Sequence, residues 1–327
     1  MTNEICYPIH EGKVRKSYQL YARVVETTDS LSVFDRVVTD SVTSKGAVHN
    51  YISKNFKHLT ADLVPNDLIN VKDSFFEDLG FGEEYTGRMS LVRDMTMIPI
   101  KFIVRGYLTG RAWSSYRETG KVCGTFLPGG MSQSEKLVMP IITPETKPST
   151  GYSKPITRSE AVDVVTFWLL EICDYSQSTD PDEAARHDAE AFVSKCYEYS
   201  LALYDFISKY GKERGILFIN TKFEFGLDDE GNIRVGDELG TPDSSRLSAT
   251  SSYSVGKKCV SLDKQRIIDF CAETGFHGDE DEVPEIPDSI ITDLQSTYIS
   301  ISDQLFGENG FVMHMINCSD ERQVTNG

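Results

Sequence analysis

The chain has 327 residues, 39 % of them hydrophobic, and 33 basic against 50 acidic side chains give a formal net charge of -17. That length can bury a large core and points to two lobes, while no apolar run approaches the roughly 18 residues that a membrane span needs. So acidic a chain repels nucleic acid and anionic membranes, although a local cluster of Arg and Lys can still draw a small anionic substrate into a cleft.

The opening MTNEICYPIHEGKVRK has no apolar core of the kind a secretory signal needs. Cys6, Cys123, Cys173, Cys196, Cys259, Cys271 and Cys318 are scattered without a CxxC pair. Neither a zinc site nor a disulfide framework is indicated, and a reducing, cytoplasmic setting is expected. Cys173, Cys196 and Cys271 fall on apolar faces of expected helices and read as buried thiols.

In chain order, residues 13–40 alternate in short apolar runs such as SYQLYARVV and LSVFDRVV, which predict antiparallel strands. KGAVHNYISKNFKHL has apolar residues near helical spacing, and DLINVKD and RMSLVRD read as further strands. The first hundred residues therefore predict a small, sheet-rich lobe. EAVDVVTFWLLEICDY predicts a helix behind the capping-box pair Thr157 and Glu160. Asp180-Pro181 starts a longer helix, expected to stop at Gly211. DKQRIIDFCAETG and PDSIITDLQSTYISISDQLFG give two more helices, with the acidic GDEDEVPEIP as a solvated loop between them.

Chemistry concentrates in residues 216–246, ILFINTKFEFGLDDEGNIRVGDELGTPDSSR. Ile216–Phe225 predicts a strand, Asp228–Asn232 a turn and Ile233–Asp237 the returning strand. Lys222 and Glu224 share a face by two-residue alternation. A symmetric hairpin with Glu224 opposite Asp237 would place Lys222, Glu224 and Asp237 side by side. Two carboxylates and an ammonium suit a magnesium–nucleotide site, and a cross-strand ion pair on a solvated face is the ordinary alternative. A second stretch, residues 97–137, sets Arg105, Arg111 and Arg117 among Gly106, Gly110, Gly120 and Gly124, read as turn formers. Guanidinium forks in that setting suit a phosphate-bearing substrate.

The blocks EGKVRKSY, SVFD, KGAVHNYIS, IPIKFIVRGYLTG, LPGGMSQSEKL, ITPETK, NTKFEFG, DELGTPDSSR and SLDKQ follow one another over nearly the whole chain. In that order they resemble the SAICAR synthetase family, the phosphoribosylaminoimidazole-succinocarboxamide synthases of purine biosynthesis. The resemblance implies an α+β fold of two lobes. Residues 1–97 would form a small antiparallel-sheet ATP lobe, kinase- or ATP-grasp-like, and 98–327 a larger mixed lobe with C-terminal helices. It implies ATP and Mg²⁺ as cofactors, and small-molecule partners: a phosphorylated or carboxylate acceptor and an amino acid such as L-aspartate, joined through an acyl phosphate. Carried over, Lys13 and Arg15 would hold ATP phosphates, Arg93–Met97 would meet adenine through its backbone, and Lys222 would meet the transferring phosphoryl group. Glu224 and Asp237 would hold the metal. Arg105, Arg111, Asn220, Ser244 and Arg246 would face the acceptor, with Arg105 and Arg246 on its phosphate.

Several positions depart from the pattern of the family. Arg111 stands where its YLTGS block ends in serine, Lys101 replaces a glutamate, and Asn220 replaces an aspartate. Gly151-Tyr152-Ser153-Lys154-Pro155 replaces a GHDE-type block, and Ser30 replaces an arginine. Three readings follow: a SAICAR synthetase with an unusual acceptor site, a related amide ligase for another acid or amine, and an inactive nucleotide-binding relative.

Overall fold

The computed structural model of the chain describes residues 8–11, 15–19, 22–34, 36–39, 42–147, 153–278, 282–312 and 314–315, the first two segments as backbone alone. The chain opens with β1 (Pro8–Glu11), β2 (Arg15–Gln19) and β3 (Arg23–Thr27), then the ribbon β4 (Leu31–Val33) and β5 (Arg36–Thr39). After α1 (Lys45–Leu59) come β6 (Leu68–Ile69), α2 (Ser74–Asp78) and β7 (Met89–Val92). An antiparallel sheet of order β1-β2-β3-β7-β6 results. Its buried face is small: Val24, Met89 and Leu91 close over Phe76 of α2. The strand expected in DLINVKD shrinks to two residues, because the chain turns at once into α2 to bury Phe76 against that face.

The second sheet starts with β8 (Thr96–Met97) and β9 (Ile100–Tyr107), followed by α3 (Gly110–Thr119) and the short strands β10 (Lys121–Val122) and β11 (Thr125–Phe126). Next come β12 (Lys136–Thr146), α4 (Arg158–Ile172), α5 (Pro181–Glu213), β13 (Ile216–Leu227), β14 (Ile233–Gly236) and β15 (Ser245–Ala249). Helices α6 (Gln265–Glu273) and α7 (Asp288–Phe306) close the described chain. The order is β12-β9-β13-β14. β13 is the hub, since its first half pairs with β9 and β15 and its second half with β14 and β8.

Alternation along the strands buries Phe102, Val104, Phe223 and Phe225 against one large core. Cys196, Leu203 and Ile207 of α5 and Leu294 and Ile301 of α7 fill that core, and α1 joins it through Val48, Ile52 and Phe56. The first hundred residues thus contribute to both cores.

The helix starts follow their caps. Thr157 and Glu160 make the reciprocal capping box, and the Asp180 carboxylate accepts from Glu183 N at 3.1 Å ahead of Pro181. Three expectations are corrected. α5 does not stop at Gly211 but runs to Glu213. Gly211 sits inside the helix because a Cβ there would lie 2.6 Å from the Phe218 ring. Gly106 belongs to β9 rather than to a turn, for a Cβ would fall 2.0 Å from the Tyr204 hydroxyl. Cys173 is exposed at the end of α4, whereas Cys196 and Cys271 are buried. Of GDEDEVPEIP, residues 282–287 form neither helix nor strand. Among the described residues, no helix is long and apolar enough to cross a membrane.

Candidate active site

The face of the second sheet turned away from the large core is built by register. Asn220 pairs with Arg105 of β9 on one side and with Arg246 of β15 on the other, so the three stand in a row across three strands. Two residues further along β13, Lys222 pairs with Ile103, which pairs in turn with Thr143 of β12. Glu224 follows on the same face, and at the edge Lys101 pairs with Glu145.

The hairpin departs from its expected register by one residue: Glu224 faces Gly236, not Asp237. Continued as a strand, Asp237 would oppose Phe223 and point to the other face. It instead takes a left-handed backbone, φ 58°, a conformation that Asp tolerates better than most residues. Its carboxylate thereby reaches the Lys222 face. Lys222 Nζ donates to Glu224 Oε1 and to Asp237 Oδ2, both at 2.8 Å. Burial acts to lower the Lys222 pKa, but Asp237, then Glu224 and Glu238, outweigh it and raise the value above that of an ordinary lysine. The other Glu224 oxygen, Oε2, accepts from Lys147, which follows the end of β12. Glu224 is 1 % exposed, Lys222 22 % and Lys147 46 %.

At the other end of the face, Arg105 Nε donates to Thr143 Oγ1 at 2.8 Å. Burial lowers its pKa from the ordinary value, Glu145 opposes that, and Arg246 and Arg111 add to it. Arg246 is held by Gln265 and lies 3.8 Å from Asp263. Arg111, in the first turn of α3, is exposed and has no ion-pair partner among the described residues. Arg117 instead lies over the Trp113 ring. Three guanidinium groups within electrostatic reach of one another favour a ligand with more than one negative charge.

Other expected residues fall as follows. Lys13, Gly151 and Tyr152 lie outside the described residues, and of Arg15 only the backbone, paired with Thr27, is described. Arg93 is exposed, and its N–H donates to Asp67 O at 2.7 Å. Met97 pairs with Gly226 of β13. The Ser244 hydroxyl is engaged within its own turn, 3.1 Å from Thr241 O, and its carbonyl accepts from Lys222 N at 2.8 Å. Ser153 Oγ accepts from Lys101 Nζ at 3.0 Å, and Pro155 bridges to Glu145.

Sequence reasoning missed Lys147 and Asp243. Lys147 stands in the block ITPETK, but its partner is 77 residues away, beyond any local pattern. Asp243 anchors the loop between β14 and β15. Lys45 Nζ reaches it at 2.8 Å, and His49 Nδ1 and Lys264 Nζ lie at 3.8 Å. Burial acts to raise its pKa, yet Lys264, Lys45 and His49 outweigh that and hold the carboxyl well below the usual range.

Glu224 and Asp237 fit a divalent cation in their chemistry. Both already hold cationic groups, the Lys222 and Lys147 ammonium groups standing in for metal charge on Glu224. Mg²⁺ needs only one or two carboxylates and takes its remaining ligands from water and phosphate. No cluster of three or more His, Cys, Asp or Glu that could hold a metal occurs among the described residues.

A sheet floor with paired carboxylates around a lysine at one end and converging arginines at the other is chemically suited to a phosphorylated anion. The family model described as SAICAR synthetase matches residues 8–282. The chain is 34 % identical to the phosphoribosylaminoimidazole-succinocarboxamide synthase of Lachnospira eligens over 306 residues, 93 % of this chain and 96 % of that one. It is 32 % identical to the synthase of the same name from Maridesulfovibrio salexigens, over 89 % of this chain and 91 % of that one. Among solved structures, SAICAR synthase from Saccharomyces cerevisiae, complexed with SAICAR, superposes with a TM-score of 0.73 at 30 % identity. That match covers 92 % of this chain and 95 % of the yeast chain. The chain belongs to the SAICAR synthetase family, and so to the ATP-dependent ligases that close a C–N bond.

Proposed function

We propose that this chain joins the carboxylate of carboxyaminoimidazole ribotide to the amine of L-aspartate, with ATP converted to ADP and phosphate. The observation that carries the reading is the spacing on β13. The Arg105–Asn220–Arg246 row lies two residues from Lys222 and four from Glu224, roughly 7 and 13 Å along a strand. One ligand can therefore leave its phosphate with the arginines and extend its carboxylate toward the lysine. The yeast relative bound to SAICAR supports that choice of acceptor.

Arg105 and Arg246 grip the ribotide phosphate, with Arg111 beside them. Lys222 faces the γ-phosphoryl group as the acceptor carboxylate attacks it, and neutralises charge that grows in the transition state. The aspartate amine then displaces phosphate from the acyl phosphate to leave the amide. Glu224 and Asp237 would hold Mg²⁺, which when bound would supply charge neutralisation for the nucleotide phosphates. Residues 1–97 serve as the ATP lobe, with Lys13 and Arg15 on the phosphates and Arg93–Met97 along the adenine, and 98–327 carry the acceptor floor.

Arg111, exposed and without an ion-pair partner among the described residues, favours a second reading: a related ligase for a more anionic acid. Purified protein with ATP and Mg²⁺ decides, assayed for ADP release against carboxyaminoimidazole ribotide plus L-aspartate and against other acids and amines. SAICAR formed at kcat/KM of about 10⁴ M⁻¹s⁻¹ or more, within the ordinary enzyme range, supports the first reading. Faster ADP release with another acid supports the second, and none with any acid leaves a nucleotide-binding relative.

A further inference from the structure

Both oxygens of Glu224 are taken by lysines, and the two lysines are held unequally. Lys222 lies between two carboxylates, is largely buried, and is fixed by a strand that pairs on both sides. Lys147 is nearly half exposed, follows the last residue of β12, and touches no carboxylate but Glu224 among the described residues. Each Glu224 oxygen keeps a second lone pair, but the carboxylate is only 1 % exposed, so a metal ion that ligates it must share or take an oxygen that a lysine already holds. Releasing Lys222 would strand its ammonium beside Asp237 and the incoming cation. Releasing Lys147 returns an exposed ammonium to water at little cost.

We propose that Lys147 is a displaceable counterion of the metal site: its ammonium holds Glu224 Oε2 before the nucleotide-bound metal arrives and yields that oxygen to the metal. The inference rests on the reading of Glu224 as a metal ligand. It assigns Lys147 two effects. The ammonium keeps a buried carboxylate oriented without metal, and it competes with the metal for one ligand atom. Lys147 is a positioning residue in this scheme, since it acts through Glu224.

The test is Mn²⁺ binding, followed by loss of the free-ion electron paramagnetic resonance signal with saturating ADP. It compares the unaltered protein with Lys147→Met, Lys147→Arg and Glu224→Gln. Removing the competitor should tighten Mn²⁺ binding in Lys147→Met by roughly 2- to 5-fold, the range for a partly exposed ion pair. Lys147→Arg should stay near the unaltered value. Without metal, Lys147→Met should also melt at a lower temperature, and Mn²⁺ should restore it. Unchanged or weaker Mn²⁺ binding in Lys147→Met, while Glu224→Gln loses the ion, overturns the counterion role and leaves Glu224 as a ligand. Full Mn²⁺ binding in Glu224→Gln overturns the metal reading itself, and the inference with it.

Discussion

Lys222 Nζ donates to Asp237 Oδ2 at 2.8 Å, although the register of the hairpin assigns these residues to opposite faces of the sheet. The left-handed backbone at Asp237, φ 58°, reconciles the two facts. Asparagine tolerates that conformation and can still accept from Lys222, so Asp237→Asn should keep stability near that of the unaltered protein while turnover falls at least about tenfold through loss of a charged ligand. A β-branched residue tolerates it poorly, and Asp237→Val should cost about 1–2 kcal/mol more than Asp237→Asn. Denaturant titration of both variants checks this. Equal midpoints would mean that the backbone at 237 does not carry the geometry.

In the proposed reaction Lys222 faces the transferring phosphoryl group, so its effect should fall on rate rather than on binding. Lys222→Met is expected to lower kcat by about 10²- to 10³-fold while changing ATP affinity by less than about tenfold. Steady-state kinetics beside equilibrium ATP binding separates the two. Matching losses in rate and affinity would assign Lys222 to ground-state nucleotide binding only.

The helices were legible because their signals are local: the Thr157–Glu160 box and the Asp180-Pro181 start lie within one turn of what they cap. The meeting of Lys222, Glu224 and Asp237 was legible as well, but its expected cause, direct cross-strand pairing, was not the actual one. A one-residue register shift cannot be read from a five-residue turn, and the backbone angle that offsets it leaves no pattern in the sequence. Lys147 and Asp243 stayed hidden because their partners come from other elements of the fold, joined only by the sheet and by α1. Gly106 and Gly211 misled for the same reason. Their role is to admit Tyr204 and Phe218, and a glycine that admits a neighbour reads like one that makes a turn.

Gly211→Ala sets propensity against packing. Alanine is the better helix former by about 1 kcal/mol, so a helix considered alone would gain stability. Its methyl group, however, would lie 2.6 Å from the Phe218 ring in the core, and overpacking of that kind costs about 1–3 kcal/mol. We expect net destabilisation, seen as a lower urea midpoint. A stabilised variant would show that Phe218 moves freely.

Asp228 shapes the turn of the β13–β14 hairpin. Burial acts to raise its pKa, but hydrogen bonds from Arg234 and Asn232 outweigh that and hold it down at about 2. The depressed value in the folded state means that its stabilisation is fully present above about pH 4, the unfolded value. It is lost as pH falls through about 2. Asp228→Asn should therefore destabilise the protein clearly at pH 6.5 and only about half as much at pH 3. Urea midpoints of the two proteins at both values test this, and an equal gap at both would remove the carboxylate from the account.

Arg111 is open to replacement, because it is exposed, sits in the first turn of a helix and has no ion-pair partner among the described residues. Its charge nonetheless reaches Arg105, whose pKa it helps to lower. In the proposed reaction a guanidinium in that position would contribute long-range attraction for an anionic acceptor, with no part in phosphoryl transfer. Arg111→Ser should then raise KM for carboxyaminoimidazole ribotide by about 3- to 10-fold, leave kcat and the KM for ATP nearly unchanged, and weaken the dependence of KM on ionic strength. Kinetics at two salt concentrations reads all four quantities. If kcat/KM for the ribotide rises in Arg111→Ser, the arginine was excluding that acceptor, as a site shaped for a more anionic acid would.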